Sequence, residues 1–77
     1  MKNIEELIEL GKTILKNDVH YKELPEDNAI YMWENIRGGI GIIIGEDKSY
    51  LTATSSVNFE RHLKEYRSGR RNSDKSI

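Results

Sequence analysis

No cysteine occurs in the 77 residues. That absence excludes a disulfide framework, a thiol nucleophile and a cysteine metal site. Histidine occurs only at positions 20 and 62, and His20 sits in a polar stretch with no spaced ligand partner. Long apolar runs are also missing. The longest aliphatic run is Ile42–Ile44, against the ~20 residues that a membrane helix needs. The N-terminus, MKNIEELIEL, is acidic and helical in pattern rather than built as a secretory signal, so the cytoplasm is the expected compartment. With 36% hydrophobic and 32% charged residues, the chain reads as one small domain with a modest core.

Charge is present in balance but not in even spread. Residues 1–47 hold five basic and ten acidic side chains, and residues 48–77 hold seven and three. Such asymmetry signals either a basic contact surface or mutual attraction between the two ends of a small domain.

Periodicity predicts a helix over 3–16, where Ile4, Leu7, Ile8, Ile14 and Leu15 recur at helical spacing. Asn3 followed by Glu6 has the form of a capping box. Gly11 lies near the apolar side, which suggests close approach of another element. Asn17-Asp18 ends the helix. Val19 to Lys22 reads as a short edge strand or as extended chain, and Leu24-Pro25-Glu26-Asp27-Asn28 as a turn. Strands are predicted at 29–35, 40–45 and 50–54. Asn35 to Gly39 make the first connection, and Glu46-Asp47-Lys48-Ser49 a hairpin. Ser55-Ser56 offers a cap for a last helix at about 57–67. Gly69 is placed to end that helix. The expected domain is 1–69, followed by a flexible basic tail at 70–77.

The order is α-β-β-β-α. The expected fold is α+β, a three-stranded antiparallel sheet with both helices on one face. Alternation puts Ile30, Met32, Ile40, Ile42, Ile44, Leu51 and Ala53 on the helix-covered face. Tyr31, Trp33, Gly41, Ile43, Tyr50, Thr52 and Thr54 take the other, and a one-residue slip would exchange the sets.

Three features bear on function. The first is GGIGIIIG, Gly38 to Gly45. Its spacing is not that of a dinucleotide fingerprint, and a hairpin rather than a helix follows it, so no helix N-terminus meets a phosphate. It reads as a turn and a strand, with Gly41 leaving backbone bare for an aromatic to cover. The second is the aromatic face. Tyr31, Trp33 and Tyr50, with Ile43, form a patch suited to a protein partner or a second copy, unless a loop or the helices cover it. The third is basic: Arg61, Lys64, Arg67, Arg70 and Arg71 cluster at and after the last helix. They suit phosphate binding through counterion release, or they stabilise the helix C-terminus.

Catalytic chemistry finds little support. His62 shares a helix face with Phe59, Leu63 and Tyr66 and reads as a core histidine. His20 lies in a polar stretch, Glu5, Glu6 and Glu9 form a solvated helix face, and Ser55 and Ser56 read as caps.

The α-β-β-β-α order resembles the double-stranded RNA-binding domain. Where that family carries a lysine pair ahead of its last helix, this chain reads Thr54-Ser55-Ser56-Val57-Asn58-Phe59-Glu60-Arg61. The segment GEDKSYLTATSSVNFERHLKEYRSGRRN resembles small uncharacterised bacterial proteins, some of the toxin-immunity kind. That resemblance implies protein binding and carries over no catalytic residue. The expected function is a non-enzymatic protein-interaction module, immunity-like or homodimeric, with no cofactor and no metal. The alternative is nucleic-acid binding through the basic C-terminal segment.

Overall fold

The computed structural model describes residues 4–15, 18–34, 39–54 and 56–72. Helix α1 (Ile4–Ile14) precedes four strands, β1 (Val19–Leu24), β2 (Ala29–Glu34), β3 (Gly41–Gly45) and β4 (Tyr50–Ala53), and helix α2 (Phe59–Arg67) follows them. The strands form one antiparallel meander in the order β1-β2-β3-β4. The fold is α+β, with four strands where the sequence suggested three. Asn3, Lys16-Asn17, 35–38 with Gly38, Ser55 and 73–77 lie outside the described residues, and so do the expectations that fall on them.

The added strand is β1. Its four middle residues, His20 to Glu23, are exposed whichever face they point to, so no apolar alternation marks it. It pairs with β2 in full, from Val19 opposite Glu34 to Leu24 opposite Ala29. A 3₁₀ turn at Pro25–Asp27 reverses the chain, and Asn28 takes the left-handed conformation at φ 49°, which asparagine tolerates better than most residues.

The helices do not share a face. Helix α1 packs its apolar stripe on Ile30, Met32, Ile42 and Ile44, with Leu7 and Leu15 buried at the centre. Helix α2 covers the other side, where Leu24, Ala29, Ile43, Leu51 and Tyr66 are buried together. The physical reason is the consecutive isoleucine run. Neighbouring residues of a strand point to opposite faces, so Ile42, Ile43 and Ile44 make both faces of β3 apolar. All three are fully buried. One uncovered face would leave Ile43 and Leu51 in water, at a cost of about 1.5–3 kcal/mol each.

The hairpin between β3 and β4 moves Leu51 and Ala53 to the α2 side. Gly45 is hydrogen-bonded to Ser49 and Ile43 is opposite Leu51, so the loop has three residues, Glu46, Asp47 and Lys48. Asp47 Oδ1 accepts from the Ser49 N–H at 3.0 Å and from its hydroxyl at 2.7 Å. Tyr50 consequently lies on the α1 side, half-buried against that cluster.

Gly11 is buried in α1, and a Cβ there would run into the Met32 thioether. The close approach expected of this glycine is therefore made by β2. At the other end, Gly69 adopts φ +98°. The Gly69 N–H donates to Tyr66 O (3.1 Å) and the Arg70 N–H to Glu65 O (3.2 Å), which is a Schellman ending.

The chain does not come loose at Gly69. The Asn72 N–H donates to Tyr50 O at 2.9 Å. The Asn72 side-chain oxygen accepts from the Thr52 N–H at 2.9 Å. The expected tail thus begins with three anchored residues, Arg70 to Asn72, and Asn72 satisfies the outer edge of β4.

Candidate functional site

Helix α2 has nine residues, about 13 Å at 1.5 Å per residue. It begins over the middle of the sheet, where the Phe59 ring centre is 4.6 Å from that of Tyr31. It ends over Gly45, whose absent Cβ leaves the place taken by the Tyr66 hydroxyl. The far end of the same face, with Trp33 opposite Gly41 and Gly41 opposite Ala53, lies beyond the helix start.

The cap sets that start. Asn58 is the N-cap, its Oδ1 accepting from the Arg61 N–H at 2.8 Å. Ser56 instead shares a hydrogen bond with the Thr54 hydroxyl at 2.8 Å. The helix therefore opens later than the serine pair suggested. A groove of about 270 Å³ remains between its first turn and the strand ends, lined by Tyr31, Trp33, Gly39 to Gly41, Ala53, Thr54, Val57, Asn58, Phe59 and His62, with Glu34 at its side.

A chain of rings forms its wall. His20 stacks on Trp33 (5.7 Å, 30°), and Trp33 stacks on Tyr31 (5.1 Å, 23°). Tyr31 meets Phe59 at a tilt and the His62 edge at 5.7 Å. Lys22 Nζ lies 5.6 Å from the Phe59 ring centre. The floor is shallow because Gly41 carries no side chain. A Cβ there would stand 3.2 Å from the Tyr31 ring, so Tyr31, rather than Trp33, lies over the bare backbone.

His62 is 1% exposed and its Nε2 is 2.7 Å from Leu51 O. A carbonyl oxygen only accepts, so Nε2 carries the proton. Burial lowers the His62 pKa from its ordinary 6.5, the bond to Leu51 opposing this. The ring is neutral at pH 7. Burial also raises the Tyr31 pKa above 10.0, which keeps its phenol protonated. Glu34 Oε1 accepts from the Ile40 N–H at 2.9 Å and so ties β2 to the entry of β3. The groove walls thus present rings, small side chains and backbone.

His62 gives stability a defined pH dependence. Its folded-state pKa lies below the unfolded value, so the unfolded chain binds more protons as pH falls. The contribution is complete above pH 6.5 and is lost as pH falls toward the folded-state pKa. The urea midpoint should be level above neutrality and should decline below pH 6.5, before the carboxylates titrate. His62→Gln keeps an N–H donor and has no titration there, so its midpoint should stay level. An equal decline in both proteins would assign the effect elsewhere.

The four aromatic-face residues separate in the structure. Tyr31 and Trp33 are half-buried and line the groove. Ile43 is fully buried under α2, and Tyr50 faces α1. His62, Phe59, Val57 and Asn58 join the site without being expected there.

Most of the basic cluster is engaged internally. Arg67 binds Asp27 through two nitrogens, at 2.7 and 3.0 Å. Arg70 pairs with Glu65 at 3.3 Å. Arg71 lies 3.7 Å from the Tyr66 ring centre and donates to Tyr66 O, Arg70 O and Ser49 Oγ. Arg61 and Lys64 are exposed.

Among the described residues no group of three or more histidines and carboxylates is placed to hold a metal ion. No described helix is long and apolar enough to cross a membrane. Compared with protein-family models, curated proteins and solved structures, the chain matches none.

Proposed function

We propose that the chain is a non-enzymatic protein-interaction module that takes an apolar or aromatic side chain of a partner protein into the groove beside Trp33. The observation that carries this reading is the half-buried Trp33 beyond the start of α2, stacked on Tyr31, which lies over Gly41. Trp and Tyr at the centre of a concave patch supply large contact area at small entropic cost. At about 270 Å³ the groove falls just below the ~300–1,000 Å³ of small-molecule sites, a size suited to an anchoring side chain. The ionisable groups at the groove argue the same way, since buried His62 and half-buried Glu34 are both bound to backbone and hold structure together.

Peptides selected from a random display library should include binders of the wild type that carry an apolar or aromatic anchor. Trp33→Ala should weaken them at least tenfold, which is ~1.4 kcal/mol, while circular dichroism shows the fold retained. Their affinity should vary little with salt and survive Arg61→Ala with Lys64→Ala. Binding of an oligonucleotide that falls steeply with salt and depends on Arg61 and Lys64 would favour the nucleic-acid alternative instead.

A further inference from the structure

The two outer edges of the sheet are treated differently. On β4, Asn72 occupies the edge and satisfies Tyr50 O and the Thr52 N–H. On β1 the peptide groups that point outward follow from the pairing. The Glu34 N–H donates to Ile40 O (3.0 Å) and the Glu46 N–H to Asn28 O (3.0 Å), so the even-numbered residues of β2 bond to β3. Bonding alternates along an antiparallel strand. Ala29, Tyr31 and Trp33 therefore bond to their β1 partners Leu24, Lys22 and His20. The N–H and C=O groups of Val19, Tyr21 and Glu23 point away from the sheet. Hydrogen bonds among the described residues give these groups no partner. Tyr21, at the centre, is 52% exposed, the one large apolar side chain among the described residues that stands out in water.

We infer that β1 pairs with β1 of a second copy, antiparallel about a two-fold axis through Tyr21, joining two sheets into one of eight strands. An edge with unmet peptide groups is a template for strand addition, and the sequence of β1 selects the register. A two-fold axis perpendicular to the sheet keeps faces aligned, so an axis passes through one residue and its copy. At Lys22 it would set lysine opposite lysine, and at Glu23 glutamate opposite glutamate, both unfavourable. At His20 only Val19 and Tyr21 find outward partners within the strands. At Tyr21 all three outward residues are used, with Tyr21 opposite Tyr21 and Val19 opposite Glu23 on both sides. No like charges then oppose each other. One strand pair buries less than the ~1,200 Å² of a stable interface, so the dimer is weak and concentration-dependent. It does not involve the Trp33 groove.

Sedimentation equilibrium of the full chain from about 10 µM to about 1 mM should show the mass rising from one chain toward two. Tyr21→Pro removes an outward N–H and leaves the β1–β2 bonds in place. Tyr21→Lys sets two cations at the axis. Both should hold the mass at one chain, while Glu60→Ala, exposed on α2, should leave the rise unchanged. The chain has no cysteine, so an introduced thiol reports the register. Paired Tyr21→Cys residues lie about 5.5 Å apart between Cα atoms and should oxidise to a linked dimer at least tenfold faster than Lys22→Cys, whose copies lie beyond about 7 Å. Constant single-chain mass overturns the inference. So does association that survives both Tyr21→Pro and Tyr21→Lys, or linkage that is equally fast at Lys22→Cys.

Discussion

Ile43→Ala is expected to lower the free energy of unfolding by about 2–5 kcal/mol, the cost of emptying a well-packed aliphatic site. A domain of this length has about 4–12 kcal/mol in total, so this one truncation removes a large share. Ile43 is fully buried, in the cluster that also holds Leu24, Ala29, Leu51 and Tyr66. That cluster exists because α2 lies on the face opposite α1. On an open sheet face the same change would fall within about 0.5 kcal/mol. Urea denaturation of Ile43→Ala thus tests the two-sided architecture directly. A midpoint close to that of the wild type would return this face to solvent and remove the groove, since α2 forms one of its walls.

The placement of α2 also shows what sequence pattern does and does not carry. Helix α1 and the apolar face of α2 have clean periods, strands β2 and β3 stand out as aromatic and isoleucine-rich runs, and their positions follow from these signals. The pairing of β2 with β3 follows too, because Tyr31 and Trp33 fall on one side with Gly41 and Ile43. The face of Leu51 depends on something smaller, the number of residues in one hairpin. A four-residue loop from Glu46 to Ser49 reverses parity between strands, whereas the three-residue loop seen here preserves it. Pattern alone does not choose between them, and the choice decides which face a helix must cover. Strand β1 is silent for another reason. Its middle side chains are exposed on both faces, so it forms through its bonds to β2 and carries no apolar signal of its own.

The groove was legible in part. Trp33, Tyr31 and Gly41 were marked by residue type and alternation. Its existence, however, depends on α2 starting at Phe59 under the Asn58 cap rather than nearer the serine pair. Each added helical residue would advance about 1.5 Å toward Trp33, and a helix begun two residues earlier would cover more of the site. Asn58 and Ser56 are both good caps by type, so the local sequence permits either start. Packing of Phe59 on Tyr31 and of Tyr66 at Gly45 fixes the one observed.

Replacing Arg71 and Asn72 together by alanine is the second large effect, expected to destabilise the domain by about 2–4 kcal/mol. Neither residue shows an apolar period, so by pattern both belong to a tail. In the structure the Arg71 guanidinium lies 3.7 Å from the Tyr66 ring centre and donates to Tyr66 O at 2.8 Å and to Ser49 Oγ at 3.0 Å. It therefore ties the end of α2 to the β3–β4 hairpin. Asn72 works as a substitute strand, its own N–H reaching Tyr50 O and its side-chain oxygen receiving the Thr52 N–H. Removing it leaves two peptide groups on the β4 edge without a protein partner, and water replaces them at a net loss of about 0.5–1.5 kcal/mol per bond. Ending the chain at Gly69 should lower the denaturation midpoint at least as far as the double substitution. Hydrogen exchange separates the two contributions. Asn72→Ala alone should speed exchange of the Thr52 amide while leaving that of Ile43 in the central strand near the wild-type rate. Arg71→Ala should act on global stability and so move both amides together. An unchanged Thr52 rate in Asn72→Ala, with an unmoved midpoint in the double variant, would put the end of the domain back at Gly69. It would also leave both sheet edges open, which would weaken the case that β1 alone is the surface for a second copy.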